Sequence, residues 1–268
     1  AVAFADESQA VGGYKNGDIR RWKIENQQQQ GPTIRRGATI RSVVVSQDGR
    51  WIVSGDDGNR VTVWNAATHK KVREFTEYSS GVMAVDISSD CTKVVAVTFR
   101  NNPSTTDVTI RIHDITSGAQ LLTPPSYDGI LGVKFSPDGS RFATASETSV
   151  RIYNTHDGDI LFDSGRRFSS YSALLFVSLV WSSDSQQLFV ANQGKITCFD
   201  ISNSSSSEWS IHEFYPSASV ASNGRFIACS AGRSVSLWDC VTHKQISNII
   251  TELSDISCIA LSPSGGYL

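Results

Sequence analysis

The chain has 268 residues, 40 % hydrophobic and 19 % charged, with a formal net charge of −2. That supports a sizeable core but lacks the broad basic field of a sequence-blind nucleic-acid binder. No run approaches the roughly 18 apolar residues of a membrane span, and no charged-then-apolar targeting segment opens the chain.

A short apolar strand closing on a small-residue turn recurs from one end to the other. In chain order it reads VAFADES from Val2, VVVSQDG from Val43, AVDISSD from Ala84, VKFSPDG from Val133, LVWSSDS from Leu179, ASVASNG from Ala218 and IALSPSG from Ile259. The last apolar residues, Phe4, Val45, Ile87, Phe135, Trp181, Val220 and Leu261, are 41, 42, 48, 46, 39 and 41 residues apart. A second anchor keeps step: an alternating strand ending in an aromatic or His and then a polar residue. This aromatic slot holds Trp22, Trp64, His113, Tyr153, Phe199 and Trp238. Each repeat reads as four strands; in the second these are residues 42–46, 50–54, 61–64 and 71–76. The expected fold is all-β, a seven-bladed β-propeller of four-stranded antiparallel blades with the last blade incomplete. The blades would span about 1–37, 38–79, 80–127, 128–172, 173–214, 215–253 and 254–268 of one domain. A start at Ala1 and a stop just after a turn signal suggest a piece of a longer polypeptide.

With both anchors in register, the chain resembles the WD-repeat family over its whole length, and residues 133–160 are close to a consensus blade. The wording VTVWNAATHKKV from Val61 is similar to WD arrays of mushroom-forming fungi, some of which follow a nucleotide-binding NACHT domain. The family resemblance implies a polar set in each blade: an Asp before the third strand, a His from a Gly-His pair, a Ser/Thr and the Trp. Here the Asp slot holds Asn16, Asp107, Glu147, Gln193 and Gly232, with Asp57 one place early in blade 2. No Gly-His pair is present, and only His212 falls near its place. The blades are therefore expected to depend on apolar packing more than on that set.

Nothing in the sequence carries catalysis. There is no nucleophile elbow, phosphate-binding loop or dinucleotide fingerprint, and His69, His113, His156, His212 and His243 have no second ligand at metal spacing. Cys91, Cys198, Cys229, Cys240 and Cys258, with no Cys-x-x-Cys pair, read as reduced thiols of a cytoplasmic or nuclear protein. No cofactor or metal is expected. The acidic pair Asp56–Asp57 reads as turn chemistry. The Gln27–Gln30 and Ser204–Ser207 runs read as low-complexity connections.

What remains is a binding surface. By resemblance, the loops joining blades form a top face, on which positions four and six before each anchor project. These include Thr39, Arg41, Met83, Leu131, Leu175, Val177, Phe214, Pro216 and Asp255, an apolar centre with a charged edge suited to a protein or peptide partner. The insertions at residues 100–106 and 164–173 extend the same face. The alternative is a basic patch, Arg35, Arg36 and Arg41, binding nucleic acid or phosphoinositide. A ubiquitin-ligase receptor role would call for Trp-Asp-x-Arg, and Trp238-Asp239 is followed by Cys240-Val241.

Overall fold

The computed structural model describes all residues except 99–109, 128, 147, 166–176, 193, 212–217, 248 and 257. Strands form where apolar and β-branched residues alternate between Gly, Asp and Ser turns, and they build six four-stranded sheets, each ordered as in the sequence. Blade 1 holds strands Val2–Phe4, Gln9–Gly13, Asp18–Lys23 and Gln28–Arg35. Blade 2 holds Ile40–Val45, Trp51–Asp56, Arg60–Asn65 and Lys71–Phe75. Blade 3 holds Val82–Ile87, Lys93–Thr98, Ile110–Asp114 and Gln120–Leu122, and blade 4 Ile130–Phe135, Arg141–Ser146, Val150–Asn154 and Ile160–Asp163. Blades 5 and 6 open with inner strands Ser178–Trp181 and Ala218–Ser222 and end with outer strands Ser205–Ser210 and Ile250–Thr251. All neighbouring strands within a blade pair antiparallel.

The core lies between blades. Val53, Val61, Val63 and Phe75 of blade 2 pack on Val82, Val85, Val94 and Ala96 of blade 3. Equivalent clusters join blades 3 and 4, 4 and 5, 5 and 6, and 1 and 2. Fully burying one Val, Ile or Phe in such a cluster contributes about 1.5–3 kcal/mol. From blade 2 onward the aromatic slot faces the preceding blade: Trp64 joins the blade 1–2 cluster and Phe199 the blade 4–5 cluster.

Turns after the inner strands share one construction. The Ser46 hydroxyl donates to Asp48 at 2.6 Å and accepts from the Trp51 amide at 2.9 Å. Ser88–Asp90, Ser136–Asp138 and Ser182–Asp184 repeat it. Burial opposes ionisation of Asp48, but bonds from Ser46, the Arg50 amide and the Arg50 guanidinium outweigh it and hold the carboxyl at about 2.

Six complete blades are present among the described residues, not seven. Ile259–Leu261 line the central channel beside Val2, Val43, Val85, Val133, Leu179 and Val220. The turn that follows repeats the others, with the Ser262 amide donating to the Tyr267 carbonyl at 3.0 Å and the Tyr267 amide to the Ser262 hydroxyl at 3.1 Å. Among the described residues of 254–268, an inner position and a turn are formed and no strand is assigned. They still meet blade 1, where Glu7 accepts at 2.7 Å from the Ser264 hydroxyl and also from its amide.

Candidate protein-binding face

One face of the ring carries the turns between second and third strands and the connections from blade to blade. Blades 1 and 2 meet there through polar contacts, and the next connection packs against them. The Thr39 hydroxyl donates to the Lys15 carbonyl at 3.0 Å, and the Asp57 amide donates to the Thr39 carbonyl at 3.0 Å. Arg41 pairs with Asp57 at 2.7 Å, both about a third exposed at 37 % and 36 %. Gly81 of the next connection lies against Asp57 with no room to spare. Thr39, Arg41, Asp57 and Gly81 therefore form one polar surface beside the channel.

The apolar centre is sunk below it. Leu131 and Val177 are 8 % and 4 % exposed and belong to the blade 4–5 core, against which half-buried Met83 packs from blade 3. The reason lies in where the inner strands begin. Strand Ile130–Phe135 starts before Leu131, so a position expected in a loop is a strand residue turned into the throat. Leu131 and Val177 thus form a buried floor. Asp255 is exposed. Leu175, Phe214, Pro216 and the insertion 100–106 lie outside the described residues, as does most of 164–173.

Two arginines of the basic patch are engaged internally. Arg36 lies 3.5 Å from Asp56 and 2.6 Å from Glu74, with its guanidinium over the Trp64 ring at 5.4 Å. Asp56 is 1 % exposed and also takes Arg60 at 3.2 Å. Arg41 is held by Asp57, and Arg35 sits opposite Asp18 in the sheet register. Two of the three arginines are thus paired with carboxylates, while Arg35 is exposed and Asp18 beside it is taken by Arg20 at 2.7 Å.

Arg36 has another role. Trp64 donates to Ser54 at 3.0 Å, and Arg36 joins that pair to Asp56, closing a polar set within blade 2. Asp56 fills the buried acidic position there, while Asp57, expected in it, faces the surface. In blade 4 the Tyr127 hydroxyl bonds Thr144 Oγ1 at 3.0 Å, the Thr144 carbonyl at 3.1 Å and the Ser149 carbonyl at 3.4 Å. In blade 3 the Tyr78 hydroxyl reaches His113 Nδ1 at 3.5 Å. Burial pushes both phenols up, so both remain protonated donors. Arg36, Tyr78 and Tyr127 stand nine, nine and eight residues before their anchors Val45, Ile87 and Phe135. That spacing is the signal sequence reasoning passed over, and the polar set is rebuilt with other donors more than it is lost.

The remaining slot residues hold blades together singly. Tyr153 donates to the Pro125 carbonyl at 2.9 Å and stacks on Phe142 at 4.8 Å. Phe199 is 1 % exposed, and Trp238 donates to Ser236 at 2.8 Å. Trp22 is only half-buried, its indole bonded to the Tyr14 hydroxyl at 3.0 Å.

Among the described residues, no group of three or more His, Cys, Asp or Glu side chains is placed to hold a metal. No described helix is long and apolar enough to cross a membrane. A 440 Å³ cavity opens at the other end of the channel, lined by Gln47, Asp86, Lys134, Trp181 and Asn223. Its charges are matched: Lys134 pairs with Asp86 at 2.8 Å, which also accepts from the Phe135 amide.

Comparison with protein-family models finds WD domain, G-beta repeat at residues 30–65 and 118–154. No curated protein matches the chain. Each matched unit begins at the outer strand of one blade and ends with the third strand of the next. The repeat thus ties neighbouring blades covalently across their interface. Two matched repeats, set in six four-stranded blades around one channel, support a place for this chain in the WD-repeat family of β-propellers.

Proposed function

We propose that this chain is a non-enzymatic scaffold that docks a protein or peptide on the face carrying Thr39, Arg41, Asp57 and Gly81. WD-repeat propellers generally serve as interaction scaffolds, though a fold alone does not define a function. Two observations carry the reading: the exposed Arg41–Asp57 pair, and the apolar floor of Leu131 and Val177 on which half-buried Met83 packs. A polar rim over a rigid apolar base suits a partner that inserts one apolar side chain and meets the rim with hydrogen bonds. The five free cysteines support a reducing setting, cytoplasmic or nuclear. The repeat wording extends the reading to the recognition module of a larger signalling protein.

Co-purification from extracts of the producing cells, quantified by mass spectrometry, tests the face. Arg41→Glu with Met83→Glu should deplete the proteins recovered by the unaltered chain, while Gln47→Glu on the opposite face should not. Equal recovery by all three removes the proposal.

We also infer a seven-position ring. Trp22 faces the position held only by residues 259–267, which leaves it half-exposed where Trp64 is buried. On the other flank Ile250 and Leu253 are 47 % and 97 % exposed, where Phe75 and Tyr78 of blade 2 are buried. Both flanks have the character of surfaces that a further blade would cover.

A further inference from the structure

The outer strands of blades 2, 3 and 4 share an irregularity. Pairing with the third strand slips at the aromatic slot, between Val63 and Trp64, Ile112 and His113, and Ile152 and Tyr153. The residue left over at each slip is Val72, Leu121 or Leu161. These side chains are 43 %, 43 % and 53 % exposed, the same position in three consecutive blades. The flanking blades break the pattern with polar residues. Gln30 follows the slot partner Gln29 in blade 1, and Ser207 follows Ser206 in blade 5. The Gln and Ser runs of the sequence thus mark the two ends of an aliphatic arc.

Charge is graded along that arc. The turn and first residue of the outer strand expose Lys70 and Lys71 in blade 2, Lys71 lying 3.4 Å from Glu74 and Lys70 forming no ion pair among the described residues. The turn exposes uncharged Thr116, Ser117 and Ala119 in blade 3, and Asp157 and Asp159 in blade 4. The arc is convex, because it follows the rim of the disc across adjacent blades. A rigid flat surface meets such a rim at one blade only, whereas an extended chain can follow it. The slips bend these edge strands and interrupt their free backbone, which disfavours strand addition and leaves side-chain contact as the means of docking.

We propose that the rim of blades 2 to 4 is a second docking surface. Its partner is an extended peptide segment with an acidic end over Lys70 and Lys71, apolar residues on Val72, Leu121 and Leu161, and a basic end over Asp157 and Asp159. This surface is separate from the face described above and stands without it.

Random displayed peptides selected on the intact chain, then measured by fluorescence anisotropy, provide the test. Selected peptides should carry acidic, apolar and basic residues in linear order. Leu121→Asp with Leu161→Asp should weaken them about tenfold or more, as loss of central apolar contacts does. Lys70→Glu with Lys71→Glu should weaken them too, with affinity regained when the acidic end of the peptide is made basic. Arg41→Glu, on the other surface, should leave them unchanged. Failure to select peptides, or peptides indifferent to both rim variants, overturns the proposal. So does concentration-dependent self-association of the chain that Leu121→Asp abolishes, because a second copy would then be the occupant.

Discussion

His113 occupies a position where other blades carry an aromatic ring, and it behaves as one. It is 1 % exposed, stacks on Phe75 at 4.2 Å, and is 3.5 Å from the Tyr78 hydroxyl. Burial drives its pKa down to about 4 against a usual 6.5, with exposed Glu77 pulling upward and Arg111 downward. The folded chain therefore binds fewer protons than the unfolded chain between those values. Its stability contribution is complete above about pH 6.5 and is lost as pH falls toward 4, at up to about 1.4 kcal/mol per pH unit. Urea midpoints across that window should fall for the natural chain and fall less for His113→Phe; parallel curves would contradict the neutral core assignment. Asp48, held at about 2, adds its own loss only at lower pH. Arg36 teaches the complementary lesson. Its charge suggested a surface patch, but Asp56 and Glu74 surround it, and no local pattern announces partners that lie on two other strands.

At the scale of elements, the strands were legible because two anchors recur with one period and alternation marks the buried faces. In blade 2 the expected strands at 42–46, 50–54, 61–64 and 71–76 differ from the observed ones by no more than two residues at any end. That small error mattered at the site. Leu131 moved from loop to strand, and with it from surface to core, because alternation does not show where a strand first meets its neighbour. Close approach between blades was equally hidden. A Cβ on Gly132 would lie 2.6 Å from the Val177 carbonyl oxygen and 2.6 Å from Leu179 Cδ2. Backbone cannot yield as a side-chain tip can. Gly132→Ala should therefore cost about 1–3 kcal/mol, read as a lowered denaturant midpoint, and an unchanged midpoint would show that blades 4 and 5 are less closely packed.

For the whole molecule, the ring emerges from interfaces and not from any blade alone. Five apolar clusters join six blades, and residues 259–267 bridge blade 6 to blade 1 through Ser219, Asn223 and Glu7. The periodic sequence made seven positions and the incomplete seventh legible, and contacts show how its inner segment and turn meet blades 6 and 1. The same holds for the binding surface: anchors located its blades, while the depth of its floor and the pairing of Arg41 required the packed ring. Rigid strands beneath an exposed Arg41–Asp57 rim form the basis of the scaffold reading. Amide hydrogen exchange, with and without the partner recovered by co-purification, tests that reading most directly. Protection should rise in the segments 37–43, 56–59 and 79–84 and stay unchanged at the turns carrying Asp48, Asp138 and Asp184. Protection confined to those turns, with the Arg41 segment exchanging as in the free chain, would contradict it.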